Sequence, residues 1–286
     1  MLVVAVVLVG GGAVWAVVRW LDHSARTPMV AACTATADGA SSRLSPTQAD
    51  NAALIAAVAL RRGLPAHAVT IALATALQES KLSNLDHGDL DSLGLFQQRP
   101  SQGWGTPAQV MDPIYATNAF YDRLVKVPNY TTIPVAQAAQ AVQRSAFPDA
   151  YAAHEAPARA FASALTGWTT SALTCVLPAA TAAGSPAAVV ARVGQDFGTL
   201  PSSATAATAK TPATVTLDAS ALSPDSPARG AWAVAQWSVA TANTLGIDRV
   251  AVAGQVWTRA GAWRANADPP VPAGHVLVTL AAPAAS

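Results

Sequence analysis

Between residues 52 and 165 apolar positions recur every three or four residues, and prolines cut the pattern into pieces of helical length. Ala52 to Arg62 and Ala66 to Gln78 carry this spacing, the second through Val69, Ala72, Leu73, Ala76 and Leu77. Thr106-Pro107 opens another helix, a capping residue followed by a proline whose missing N–H costs nothing in the first turn. Ile114 to Val125, Val135 to Gln143 and Pro157 to Leu165 complete the set, with Pro128, Pro134 and Pro148 as punctuation. Past Pro178 the pattern changes. Helical runs over Ala187 to Phe197 and Gly230 to Leu245 are interleaved with strand-like runs at Thr214 to Leu217, Asp248 to Gln255 and His275 to Leu280. That order predicts a small α/β module behind a helical one.

The N-terminal pattern is of another kind. Leu2 to Val18 is an unbroken run of apolar residues and glycine, closed by Arg19, Trp20 and a polar stretch from Asp22. As a helix the run covers roughly 26 Å, and with Trp20 and Leu21 it reaches a hydrocarbon thickness of about 30 Å. A signal-peptide core is shorter, and no A-x-A site follows directly, so the expectation is a retained single-pass anchor over residues 1–21. Arg19 and Arg26 lie after the span with no basic side chain before it, which by the positive-inside rule alone reverses the orientation. A start upstream of Met1 that supplies basic residues is therefore expected.

Composition narrows the setting. Of 286 residues, 52% are hydrophobic and only 12% charged, about half the usual share, with a net charge of +1. Along the sequence Lys and Arg never gather beyond the pair Arg61-Arg62, so no nucleic-acid partner is expected.

The stretch Ala74 to Thr106 holds the candidate chemistry. Glu79 falls at or near the end of the second helix, where the negative end of the helix dipole disfavours its ionised form and an apolar wall would raise its pKa further. Both effects suit a general acid. A polar turn follows, with Asn84, Asp86, His87, Gly88, Asp89, Asp91 and Ser92, and then Gly94 allows a close backbone approach under the apolar cover of Leu95 and Phe96. Gln97 and Gln98 offer the donors and acceptors that sugar hydroxyls and N-acetyl groups need. Spacing alone equally admits a capped helix followed by an ordinary loop.

Glu79-Ser80, then Ser92 and Gly94-Leu95-Phe96-Gln97, resembles the signature of the soluble lytic transglycosylase group of the lysozyme-like superfamily, with Phe96 where a Met is usual. The longer run Asp91 to Tyr121 is similar to exported actinobacterial proteins with this domain, and the resemblance covers about Ser45 to Cys175. It implies a single catalytic glutamate, Glu79, which protonates the glycosidic oxygen between N-acetylmuramic acid and N-acetylglucosamine. The muramyl 6-hydroxyl then attacks the anomeric carbon, and no cofactor or metal is involved. Ser80, Ser92, Gly94, Gln97, Gln98 and Trp104 become candidate substrate-binding residues. Gln143 and Tyr151 join them from Ala138 to Tyr151, the nearest counterpart of the group's Ala-Tyr-Asn cluster. Tyr151 could bond an N-acetyl group or the catalytic carboxyl, or pack as an ordinary aromatic. Trp104 could stack on a pyranose or be buried.

A hydrolytic muramidase is the alternative. It would need a second carboxyl group, about 5 to 5.5 Å away for retention or roughly 6.5 to 9.5 Å for inversion, and Asp86, Asp89 and Asp91 are the nearest in sequence. They could equally be a solvated loop, and they do not match a calcium-hand pattern. A non-catalytic wall-binding or scaffold protein is the third reading.

The expected layout is an anchor at 1–21, a linker at 22–44, the lysozyme-like domain at 45–176, a linker at 177–186 and a small α/β domain at 187–286. The fold class is then mainly α, lysozyme-like, with an N-terminal transmembrane helix and a second, smaller α/β domain. Cys33 and Cys175, the only cysteines, bracket the lysozyme-like part and are expected to pair outside the membrane. Val30-Ala31-Ala32-Cys33 looks like a lipoprotein site, but polar residues separate it from the apolar run. The segment from Gly230 to Trp263 resembles a carboxypeptidase-like zinc module that has kept only His275 of its ligands, hence a non-catalytic remnant. Its Trp232, Trp237, Trp257 and Trp263 could form a glycan surface or a core. Peptidoglycan strands and the membrane are the expected partners, at the cell membrane with the catalytic part outside. No protein partner is indicated.

Overall fold

The structure is a computed structural model that describes residues 30–145, 147–268 and 270–282. It begins with a hairpin of β1 (Ala32–Ala37) and β2 (Ala40–Leu44), turned by Asp38 and Gly39, both at positive φ. Such two-residue turns need φ > 0 at both centres, and Asp-Gly supplies it. On the other side of β1 lies β3 (Leu173–Val176), antiparallel, with Cys33 directly opposite Cys175. These two cysteines form a disulfide.

Helix α1 (Pro46–Arg61) starts on a capping box, Ser45 with Gln48, and has Pro46 in its first turn. Helix α2 (Ala66–Ser80) is the centre of this half. Its residues Ala68, Val69, Ile71, Ala72, Leu73, Ala74 and Ala76 are buried on every side, the pattern of a helix with no solvent face. Around it pack α1, α4 (Pro113–Leu124), α5 (Val135–Gln143) and α6 (Glu155–Leu165). A short α3 (Pro107–Met111), capped by Thr106 and Gln109, leads into α4. The alanines let these helices approach closely, and Thr70 and Thr75 return their hydroxyls to carbonyls of the same helix.

The rest of the chain builds an antiparallel six-stranded sheet in the order β4-β5-β9-β6-β7-β8. Its strands are β4 (Ser202–Thr205), β5 (Thr214–Asp218), β6 (Ile247–Val252), β7 (Gln255–Thr258), β8 (Gly261–Ala265) and β9 (His275–Leu280). Helices α7 (Pro186–Phe197), α8 (Pro227–Ala240) and α9 (Ala242–Leu245) accompany them. Helix α8 packs against β6 on one side and against α1, α6 and β3 on another. Gln236, fully buried in α8, accepts from the Ala172 and Leu173 N–H groups at 3.0 and 2.7 Å and donates to Ala164 O and Thr169 O at 2.7 and 2.9 Å. One side chain thus satisfies four backbone groups of the α6–β3 connection.

Two expectations are corrected here. The chain is not mainly α with a transmembrane helix: it is mixed α/β, 44% helix and 20% strand, with two antiparallel sheets. Strands β1 to β3 were not foreseen, because Ala and Thr in ACTATA give almost no apolar-polar contrast even though Cys33 and Ala35 are buried. The single run expected over Asp248 to Gln255 is two strands, β6 and β7, folded at Ala253 and Gly254, both at positive φ. The single-pass membrane placement is likewise corrected, since among the described residues no helix is long and apolar enough to cross a membrane. Residues 1–21, on which that placement rested, lie outside the described residues.

Candidate active site

Helix α2 stops because Lys81 and Leu82 both take positive φ. Its last turn is held from α1: Gln48 Nε2 donates to Lys81 O and Asn51 Nδ2 to Leu82 O, each at 2.8 Å. Glu79 is therefore the penultimate helical residue, half-buried. Tyr151, from the turn of 3-10 helix Pro148–His154, donates its hydroxyl to Glu79 Oε1 at 2.6 Å. Burial pushes the Glu79 carboxyl above its ordinary value, and hydrogen bonds from Tyr151 and Gln143 only partly pull it back. No cation and no second carboxylate is among the groups that shift it. Burial, with the bond to Glu79, pushes the Tyr151 phenol up as well, so it remains a donor.

Ser80, next to the carboxyl, is buried with its hydroxyl 2.6 Å from Leu95 O and 3.1 Å from Ala76 O. It ties the end of α2 to the Gly94-to-Gln97 turn rather than facing a ligand. Leu93 and Gln98 close that turn with reciprocal backbone bonds of 3.0 and 2.9 Å. Gly94 sits at φ 79° with its N–H on Leu85 O, and a Cβ there would lie 2.3 Å from the Val110 carbonyl. The close approach that demands glycine is thus to α3. Phe96 is fully buried and stacks on Phe120 at 4.7 Å. Its carbonyl accepts from Gln143 Nε2 at 2.8 Å, which fixes the Gln143 amide beside Glu79. Gln143 Oε1 is buried and has no partner among the described residues.

The aspartates divide. Asp91 accepts from Arg99 Nε at 2.8 Å and from Ser101 N and Oγ at 2.7 and 2.9 Å. These donors hold its carboxyl far below the usual range and commit it to bracing its own loop. Asp86 pairs with His87 at 2.8 Å, both exposed, and that bond lowers it. Asp89 is exposed on the same loop.

Of the remaining candidates, Ser92 is buried and Gln97 Nε2 is turned onto Gly94 O and His87 O. Gln98 is buried, with Nε2 donating to Ala116 O at 2.9 Å. Trp104 is 6% exposed, and Arg123 covers one ring face with its guanidinium carbon 3.3 Å from the centroid. Only Tyr151 and Gln143 are therefore brought to Glu79. Trp232, Trp237 and Trp257 are core residues, Trp263 packs on Trp232, and the indoles of Trp237 and Trp257 donate to Asp196 and Cys175 O. His275 stands 3.9 Å from Asp218, and among the described residues no group of His, Cys, Asp or Glu is gathered as a metal site.

Two cavities are lined by other residues. One of about 590 Å³ runs between α1, the start of α4 and α7, lined by Asp50, Arg192 and Asp196 among others. Another of about 550 Å³ holds Arg123 and Lys126, three residues apart in the chain, together with Arg144 from the end of α5. No protein-family model matches this chain, and no curated protein matches it.

Proposed function

We propose that the protein is a peptidoglycan-cleaving lytic transglycosylase in which Glu79 is the single general acid and base. The observation that carries this reading is the Glu79 carboxyl itself: raised by burial, held by the two neutral donors Tyr151 and Gln143, and paired with no cation. A carboxyl so placed keeps a proton to a higher pH than a solvated one and can give it to a glycosidic oxygen. The bond from the anomeric carbon to that oxygen then breaks, and the leaving sugar departs as an alcohol. Glu79, now a carboxylate, takes the proton of the muramyl 6-hydroxyl as its oxygen bonds the anomeric carbon, which yields a 1,6-anhydro end. Tyr151 orients the carboxyl and steadies its charged form between the two steps.

A route without a second carboxylate is supported by the state of Asp91, whose oxygens are occupied by Arg99 and Ser101. The resemblance of Glu79-Ser80 and Gly94 to Gln97 to the transglycosylase signature supports the substrate class, and the disulfide fits an oxidising, extracytoplasmic compartment. Purified wall incubated with the protein should release fragments with anhydromuramyl ends by mass spectrometry, and Glu79→Gln should release none. Reducing muramyl ends would show a hydrolase instead, and equal release by the variant would remove Glu79 from the chemistry.

A further inference from the structure

Gln143, whose amide is fixed beside Glu79, is followed by Arg144, and Arg144 opens a second site. Arg144 ends α5 at φ 55° and projects to the surface at the edge of the 550 Å³ groove. Arg123 and Lys126 enter it from α4 and the turn after it, with Gln102, Val127, Pro128, Ala141 and Val142 completing the walls. No carboxylate lines this groove. Arg123 is held in place rather than neutralised: it lies flat on Trp104 and donates to Gly103 O at 3.2 Å. Burial, and the positive charge of Arg144, push its guanidinium below its ordinary value. Three cations that converge without an anion raise the local potential and attract anionic ligands. The chain gathers them here although its net charge is only +1.

We propose that this groove binds the carboxylate-bearing peptide arms of the glycan strand cleaved at Glu79, with Arg123, Lys126 and Arg144 as the recognising charges. The proposal rests on the peptidoglycan reading above, and it makes the protein selective for strands that still carry their peptides. Two features favour a peptide arm over a bare anion. The walls set the cations beside the apolar Val127, Pro128, Ala141 and Val142, and the volume exceeds what a single small anion fills. One wall residue, Arg144, directly follows Gln143 in the chain, and an extended glycan strand carries its peptide arms beyond the sugar held at Glu79.

The test uses the full chain on wall carrying intact peptides and on the same wall stripped of them by an amidase. The ratio of initial rates should favour peptide-bearing wall by about five- to tenfold, the scale of one or two charge-assisted contacts, and should shrink as salt is added. In a Lys126→Gln, Arg144→Gln double variant that ratio should fall to about one. A wild-type ratio of one, or a ratio unchanged in the variant, overturns the proposal. A binding arm separates it from the fate of Glu79: the Glu79→Gln protein is titrated with a soluble stem peptide bearing free carboxylates. Binding that the two further substitutions weaken at least fivefold upholds the groove even where no wall is cleaved. Absence of peptide binding, or tighter binding of inorganic phosphate or an oligonucleotide, overturns it even where Glu79 proves catalytic.

Discussion

Glu79 and Asp196 occupy the same position in two helices, the penultimate residue of α2 and of α7, and burial works to raise both carboxyls. Their surroundings then diverge. One turn before Asp196 stands Arg192, whose Nε reaches both carboxylate oxygens at 2.9 Å while Nη2 reaches Asp50 at 2.5 Å. Trp237 Nε1 adds a second donor to Asp196 at 2.8 Å, and Thr244 bonds Asp50 at 2.6 Å. Burial alone would lower Arg192, but Asp196 and Asp50 outweigh it and hold the guanidinium charged. One turn before Glu79 stands Thr75, whose hydroxyl is returned to Ile71 O. Its carboxyl meets only the neutral donors Tyr151 and Gln143. The same burial therefore makes a structural ion pair where a cation is supplied and a proton reservoir where none is.

The first way to break this contrast is Glu79→Gln. It should cost about 100- to 10,000-fold in wall-cleaving rate, the usual share of a general acid and base, while thermal melting at neutral pH stays level or rises. The sign follows from the raised pKa of the folded state. The buried carboxyl contributes stability while protonated and loses it as pH rises through the folded value, so the wild-type melting temperature should fall across that window and the Gln variant's should not. A melting curve of Glu79→Gln that tracks the wild type at every pH would show the carboxyl to be unstrained.

At the other carboxyl the order of effects reverses. Arg192→Met leaves Asp196 and Asp50 buried without their cation and should cost about 3 to 5 kcal/mol of stability in denaturant melts. The wall-cleaving rate per folded molecule should change little. A loss under 1 kcal/mol would mean that Asp196 is held neutral and that the two carboxyls are alike after all. Gln236→Leu strands four backbone groups at the junction of α6, β3 and α8, at about 2 to 3 kcal/mol by the same measurement.

The smallest and most diagnostic change is Tyr151→Phe. It removes the stronger of the two hydrogen bonds that oppose the burial effect on Glu79, so the Glu79 pKa should rise further and the alkaline limb of the rate profile should move to higher pH. The maximal rate should drop about tenfold as the carboxyl loses its orientation. A rate loss with no movement of the limb would reduce Tyr151 to packing.

Much of the helical layout was written in local periodicity. Val135 to Gln143 and His275 to Leu280 are read with the bounds the structure gives, because each is a complete apolar pattern between breakers. The N-terminal sheet was not legible in the same way. Its pairings join Cys33 to Leu44 and to Cys175 through Ala and Thr strands of low contrast, and only Asp38-Gly39 carried a hairpin signal. At the site, the helix-end position of Glu79 was visible from its neighbours. The engagement of Ser80, Gln97 and Gln98 with protein carbonyls was not, since each bond reaches a backbone group that folding alone brings near.

By itself the sequence placed Glu79 at or near the end of α2, and hence at the negative end of a helix dipole, because apolar spacing acts within a few residues. Tertiary structure decided what that carboxyl became. Tyr151 arrives from 72 residues away and Gln143 is held near it by the Phe96 carbonyl, while Arg123, Lys126 and Arg144 are gathered into one groove from two separate segments. Burial, pairing and local potential are properties of what surrounds a group in space, and only the packed chain fixes them.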